Sequence, residues 1–442
     1  MSGGTLAQRA GASSGAARFS LLDGLRYGAL GAPLAFAALP LYVLLPNHYA
    51  AQLGVPLAGL GAVLLGTRAF DAVVDPWLGR VIDRGLARPR AQVMAAASAA
   101  ALLMALGFAA LFFPPVRGTN ALLAWCAAAL VVTCLGYSAL GVLHQAWGAR
   151  LGGGDAAQAR IAGWREGLSL AGVLAASVLP ALAGIPVMVA VCIAGLALAI
   201  VALGGAPFRA APPRLLQPGY PGHPGQQAEP RAWALPWRVP AFRRLMAVFV
   251  LNGVASAVPA TLVIFFIRDR LQAPAWEPLF LGSYFAAAAL SMPGWVRAVA
   301  RFGLMPCWLA GMGLAVAAFV WATRLGAGDG AAFVAICVAS GIALGADLAI
   351  PSALLTGVIQ RAGHALRHEG NYFGWWTCAN KLNLALAAGL ALPALQALGY
   401  APGSRDAAAL SALALVYAAI PCLLKAGAAA LLWHHRHHLD RP

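Results

Sequence analysis

The chain has 442 residues, 61% of them hydrophobic and 10% charged, with a net charge of +16. Soluble domains carry about 25% charged residues, so this composition lacks the polar side chains to cover a core of this size and excludes an ordinary soluble enzyme. The basic excess would suit a nucleic-acid binder, but its placement along the chain excludes that class as well.

Residues 1–20 are small and polar, without the apolar stretch of a cleaved signal peptide. Apolar runs follow at about 23–46, 56–79, 92–113, 121–147, 161–183 and 186–205. A second set lies at about 242–267, 278–296, 304–323, 331–359, 372–398 and 408–433. A helix crossing a membrane needs ~20 mostly apolar residues, whereas barrel strands would be ~10-residue alternating segments. The expected fold is an all-α membrane protein with twelve transmembrane helices in two six-helix bundles. Residues 1–205 form the first bundle, 206–241 a linker rich in proline and arginine, and 242–442 the second bundle with its tail. Two such bundles with a substrate site at midplane between them are a transporter plan.

The cations agree with this layout. With the N-terminus inside, the outer loops hold only Arg117, Arg268, Arg270, Arg324 and Arg405. Arg68, Lys381 and Lys425 lie inside helices, and the remaining 22 of the 30 Lys and Arg fall on the cytoplasmic side. This positive-inside bias places both termini in the cytoplasm and assigns the basic excess to anionic lipid, not nucleic acid. All seven cysteines fall in helical runs without metal or disulfide spacing, and the His434–His438 tail reads as a headgroup-contacting end. A weak internal repeat pairs Arg80 and Arg84 after the second run with Arg297 and Arg301 after the eighth.

Charges inside hydrocarbon cost about 2.5–3.5 kcal/mol each on insertion scales, so they are improbable filler. Arg68, Asp71 and Asp75 share one face of the second run by their i, i+3, i+7 spacing. Two carboxylates one turn apart beside a cation form a candidate ion or proton site. Lys381 in the eleventh run either locks to these aspartates or acts as a mobile countercharge. Lys425 is expected to snorkel toward the cytoplasm. Asp347, between Gly345 and Pro351, is a candidate substrate hydrogen-bonder, while Trp147, Trp375 and Trp376 could stack on sugar rings or simply pack. His144 is a core histidine or a pocket residue.

The stretch Arg68-Ala-Phe-Asp71-Ala-Val-Val74-Asp75-Pro76-Trp-Leu-Gly79-Arg-Val-Ile-Asp83-Arg84 resembles the second-helix signature of the glycoside–pentoside–hexuronide:cation symporters, the melibiose permease family of the major facilitator superfamily. Asn252–Ser256, Gly345–Pro351, Glu369–Lys381 and Gly399-Tyr400 extend the resemblance into the second half. The resemblance implies that Asp71 and Asp75 hold the coupling cation, with Arg68 and Lys381 beside them. It also implies a sugar pocket shaped by Trp147, Arg165, Asp347, Trp376 and Thr377. Val74 stands where sodium-coupled members often have an amide, which favours H+ over Na+ as the coupling ion. Leu143 and Pro33 stand near positions where the family has sugar-binding acids, so a galactoside is not implied, and the same branch includes lysolipid transporters. The expected protein is a secondary active symporter of a sugar or glycoside in a bacterial inner membrane. It would be a monomer with lipid around it, a small-molecule substrate and no cofactor.

Overall fold

A computed structural model describes residues 19–209 and 232–440. Arg214, Arg231 and most of the expected linker therefore lie outside the described residues, as does the side chain of Arg68. Among the described residues the structure is helical with no strand. Nine helices among the described residues are long and apolar enough to cross a membrane, and in lipid a helix bonds every backbone group internally.

The first run is not one smooth rod. Ser20 and Asp23 form a reciprocal capping box that starts α1 (Leu21–Gly28). After a turn come α2 (Gly31–Leu39), a π-turn over Pro40–Leu44, α3 (Leu45–Asn47) and a second π-turn over His48–Gln52. Pro40 and Pro46 lack the N–H of the regular ladder, which gives the local register change a cause. Then follow α4 (Leu57–Leu86), α5 (Arg90–Phe112), α6 (Thr119–Arg150) and α7 (Asp155–Gly204). The α7 rod contains the two runs expected at 161–183 and 186–205, broken at Gly184, whose φ of 80° is left-handed.

The segment Ala232–Arg238 is a 3-10 helix. It leads into α8 (Pro240–Phe265), α9 (Glu277–Phe302), α10 (Leu304–Phe319), α11 (Gly330–Arg361), α12 (Glu369–Ala397), α13 (Ala407–Ala414) and α14 (Ile420–Asp440). Trp233 and Trp237 of the 3-10 segment pack on Trp375, and Trp375 Nε1 donates to the Trp233 carbonyl at 2.8 Å. Trp375 is thus a tether for this segment, not a free stacking surface.

What positions the charged residues is the crossing of α4 over α12. A Cβ on Gly79 would overlap the Gly370 carbonyl, and one on Gly370 would overlap that of Gly79. A Cβ on Gly374 would lie 2.6 Å from the Asp75 carbonyl oxygen. Three glycines thus let the two backbones touch. Asp83 accepts from the backbone N–H of Gly370 at 2.6 Å and of Asn371 at 2.9 Å, placing a carboxylate on the positive start of α12. Arg150 from α6 completes the closure, donating to Glu369 at 3.0 Å and to the Leu86 carbonyl at 2.8 Å. His368, at the same end, is pushed down to about 4 by burial, with His364 and the arginines 367 and 150 adding to the effect. It stays neutral at ordinary pH and adds no charge to this cluster.

Overpacking costs about 1–3 kcal/mol. Gly79→Ala is therefore expected to lower the melting temperature of the purified protein by several degrees. Gly85→Ala, where the added methyl meets nothing within 4 Å, is expected to leave it unchanged. Equal melting curves for the two variants would remove the glycine crossing as a constraint.

Candidate functional site

A cavity of about 450 Å³ opens between the helices that precede and follow the 206–241 segment. Its wall carries Gln145, Arg165, Asp347, Trp376, Thr377 and Lys381. The polar side chains come from α6, α7, α11 and α12, so no single element builds the site.

Lys381 is the centre of the charge arrangement. Its ammonium lies 2.6 Å from Asp71 Oδ2 and 2.8 Å from Asp75 Oδ2, and it also donates to Asp75 Oδ1 at 3.0 Å. A further bond goes to Ser138 Oγ at 2.7 Å, and Ser138 in turn donates to Asp71 Oδ1 at 2.8 Å. One cation is thus shared by two carboxylates through a hydroxyl relay linking α4, α6 and α12. Two like charges this close cannot both stay ionised in a low-dielectric site without compensation. Ser138 was not singled out in the sequence. Its signal, a serine six residues before His144 within an apolar run, is too common to isolate.

Arg165 pairs with Glu166 at 2.8 Å and reaches Ser352 of α11 at 3.3 Å. Trp376 stacks on Phe249 with ring centroids 3.6 Å apart. Thr377 accepts from Gln145 Nε2 at 3.3 Å. His144 lines the cavity, and its Nε2 lies 2.8 Å from the Tyr27 carbonyl. Gln145, Glu166 and Ser352 were missed by sequence reasoning because a single polar residue in a long helix is unremarkable until the opposite wall is known.

Two expectations need correction. Trp147 does not line this cavity: it is 1% exposed, donates to the Pro207 carbonyl at 2.7 Å and packs on Phe208. The indole anchors the chain leaving α7, because its N–H finds that carbonyl within reach. Lys425 does not snorkel. It is buried and donates to Asp347 Oδ2 at 2.6 Å, to Asn252 Oδ1 at 2.8 Å and to Ser256 Oγ at 3.1 Å. Asp347 also accepts from Trp308 Nε1 at 2.8 Å and from Asn252 Nδ2 at 3.2 Å. An anionic partner on α11 and two neutral acceptors on α8 give the ammonium a better end than a long reach to the headgroups.

Count the charges around the cavity. Among the described side chains, Arg165, Lys381 and Lys425 face Asp71, Asp75, Glu166 and Asp347, three cations against four carboxylates. The imbalance sits on the Asp71–Asp75–Lys381 cluster, since the other two pairs are one to one. Among the described residues no group of three or more His, Cys, Asp or Glu side chains could hold a metal ion.

Removing one partner from a buried pair costs about 3–5 kcal/mol because the other charge is stranded. Lys425→Met should destabilise the protein by about this amount, and adding Asp347→Asn should recover part of the loss. Thermal unfolding of the two single variants and the double variant measures it; strictly additive losses would mean that the pair is not coupled.

The sequence profile of the family described as "MFS/sugar transport protein" matches residues 24–440. No curated protein matches the chain. Among solved structures, a bacterial homologue of the iron transporter ferroportin in the outward-facing state is similar. It has 17% identity and a TM-score of 0.66, over 94% of this chain and 99% of that one. The major facilitator transporter FucP in its outward conformation has 14% identity and a TM-score of 0.65, over 92% and 99%. A structure of the E. coli fucose:proton symporter FucP has 14% identity and a TM-score of 0.62, over 93% and 98%. At these identities the likeness speaks for the fold alone.

Proposed function

Because the chain belongs to the MFS/sugar transport protein family, and is thus a multi-pass membrane transporter and not an enzyme, we propose that it couples uptake of a sugar or glycoside to one proton. The observation that carries this reading is the single lysine shared by Asp71 and Asp75. Among the described side chains this cluster has one carboxylate more than it has cations, and a proton on the pair would balance them. Sodium is the weaker candidate, because Val74 offers no oxygen between the two acids. The substrate then needs no charge of its own, which suits a hydroxyl-rich neutral molecule held by Arg165, Asp347, Gln145 and Thr377 beside the Trp376–Phe249 stack.

The cycle we propose is alternating access between two six-helix bundles, residues 1–205 and 242–442, joined by the 206–241 linker. Both termini face the cytoplasm of a bacterial inner membrane, and the protein works as a monomer. The end closed by Asp83, Arg150 and Glu369 is then cytoplasmic, and the arrangement is outward-facing. Protonation of the Asp71–Asp75 pair loosens its hold on Lys381 and raises substrate affinity; by linkage, substrate raises proton affinity by the same factor. Arg68 stands one turn before Asp71 and belongs to the same face of α4. The charged and hydrogen-bonding groups that four helices bring to the cavity wall favour a sugar over a lysolipid.

Proteoliposomes with an imposed proton gradient test the proposal against a panel of sugars and lysolipids, with and without sodium. Sugar accumulation is expected to need the proton gradient and no sodium. Asp75→Asn is expected to lower accumulation at least 100-fold while leaving equilibrating exchange of the same sugar. Undiminished accumulation by that variant would refute the coupling role, and strict sodium dependence would refute the choice of ion.

A further inference from the structure

Behind Asp347 lies a second chamber of about 200 Å³, inside the packing of α8, α9, α10, α11 and α14. Its far wall is Phe280, Phe319, Phe333 and Tyr417, and three of these are almost fully buried. Its near end carries Ser256, Lys425 and Asp347. Protein interiors are packed like organic crystals, with few voids larger than a water molecule. A void of this size, walled by aromatic rings, is not ordinary filler.

Asp347 lines both this chamber and the central cavity. The chamber and the candidate site therefore adjoin at one carboxylate. Its lining is mostly apolar, with the charged groups Asp347 and Lys425 gathered at the shared end. An apolar cavity of about 150 Å³ accommodates one benzene ring, so this one has room for a single ring or a short alkyl chain and not for a long acyl chain.

We infer that the chamber receives the apolar aglycone of the transported molecule, so that the substrate is a glycoside with one aromatic ring or a short alkyl group. The inference rests on the sugar reading of the central cavity and narrows it. The sugar hydroxyls sit among Arg165, Gln145 and Thr377, the glycosidic end meets Asp347, and the aglycone turns between α8 and α11. The Lys425, Trp308 and Asn252 bonds hold Asp347 at this junction, which makes Lys425 a positioning residue for the turn. A lysolipid exceeds the chamber, and a free monosaccharide leaves it empty.

The test is direct binding by calorimetry to the full chain in lipid nanodiscs. The probes are methyl, phenyl, hexyl and dodecyl β-D-glucosides and β-D-galactosides, corrected for partition into empty nanodiscs. Burying a group of this size is expected to make the phenyl and hexyl compounds bind about 10- to 100-fold tighter than methyl, with no further gain for dodecyl. Two single variants fill the chamber from different walls, Ser340→Leu from α11 and Ala315→Leu from α10. In either, the phenyl advantage is expected to fall at least fivefold while methyl glycoside binding stays within twofold. A phenyl advantage unchanged in both variants overturns the inference and leaves the sugar reading standing. Affinity that keeps rising to dodecyl also overturns it. Binding of no glycoside by the unaltered protein overturns the sugar reading and this inference together.

Discussion

Everything near the centre of this protein hangs on one ammonium group shared by two carboxylates. A lysine in hydrocarbon is costly, and Lys381 is held by Asp71, Asp75 and Ser138, three side chains from two other helices. The cost of burial is offset only while those contacts persist. The cluster is therefore both an adhesive between α4, α6 and α12 and a site of unbalanced charge. A bond that must hold in one state and loosen in another is best made from groups whose charge can change, and a carboxylate pair is such a group.

The contrast with the second buried pair is instructive. Lys425 has one carboxylate partner and two neutral acceptors, and Asp347 has two neutral donors besides. Its charges cancel and its hydrogen bonds are nearly complete, the condition under which a buried polar network fixes geometry. Asp347 nevertheless presents itself to two cavities. A neutral, fully bonded pair is a stable edge against which a substrate can be placed. The Asp71–Asp75–Lys381 cluster across the cavity is the part to which the proposed function assigns the proton. The two pairs look alike as sequence, each an aspartate and a lysine in apolar runs, and differ only in how many carboxylates share each lysine.

That difference marks where reading the sequence stopped. The charged positions stood out because hydrocarbon makes charge expensive, so Asp71, Asp75, Asp347, Lys381 and Lys425 could all be picked from one chain. The pairing of Lys381 with these aspartates could also be expected, but the partners of Lys425 could not. Lys425 looked like a snorkelling side chain because position along a helix says nothing about what an adjacent helix offers, here Asp347 and Asn252. Trp147 was placed by resemblance in a sugar pocket, yet its indole is taken by the Pro207 carbonyl, in a segment whose path no periodicity predicts. Gly184 ends one rod and begins the next, and the paired apolar runs implied such a break. The glycines that matter most, Gly79, Gly370 and Gly374, are three of 50 in the chain, and only the α4–α12 crossing singles them out.

The crossing also ties the closed end to the charged cluster. Asp83 and Asp71 are twelve residues apart on α4, and Glu369 and Lys381 are twelve residues apart on α12. At 1.5 Å per residue each interval is about 18 Å of rigid helix. The same two backbones that touch at Gly79 and Gly370 therefore carry Arg150–Glu369 closure at one end and the Lys381 cluster at the other. Helices in backbone contact through glycine cannot slide past each other without reopening that contact. In the proposed cycle, loosening Lys381 from α4 would remove the attraction at one end of a crossing whose other end carries the closure. Distance alone does not make this coupling; it follows from one pair of helices having both sets of bonds and too little space between them to adjust separately.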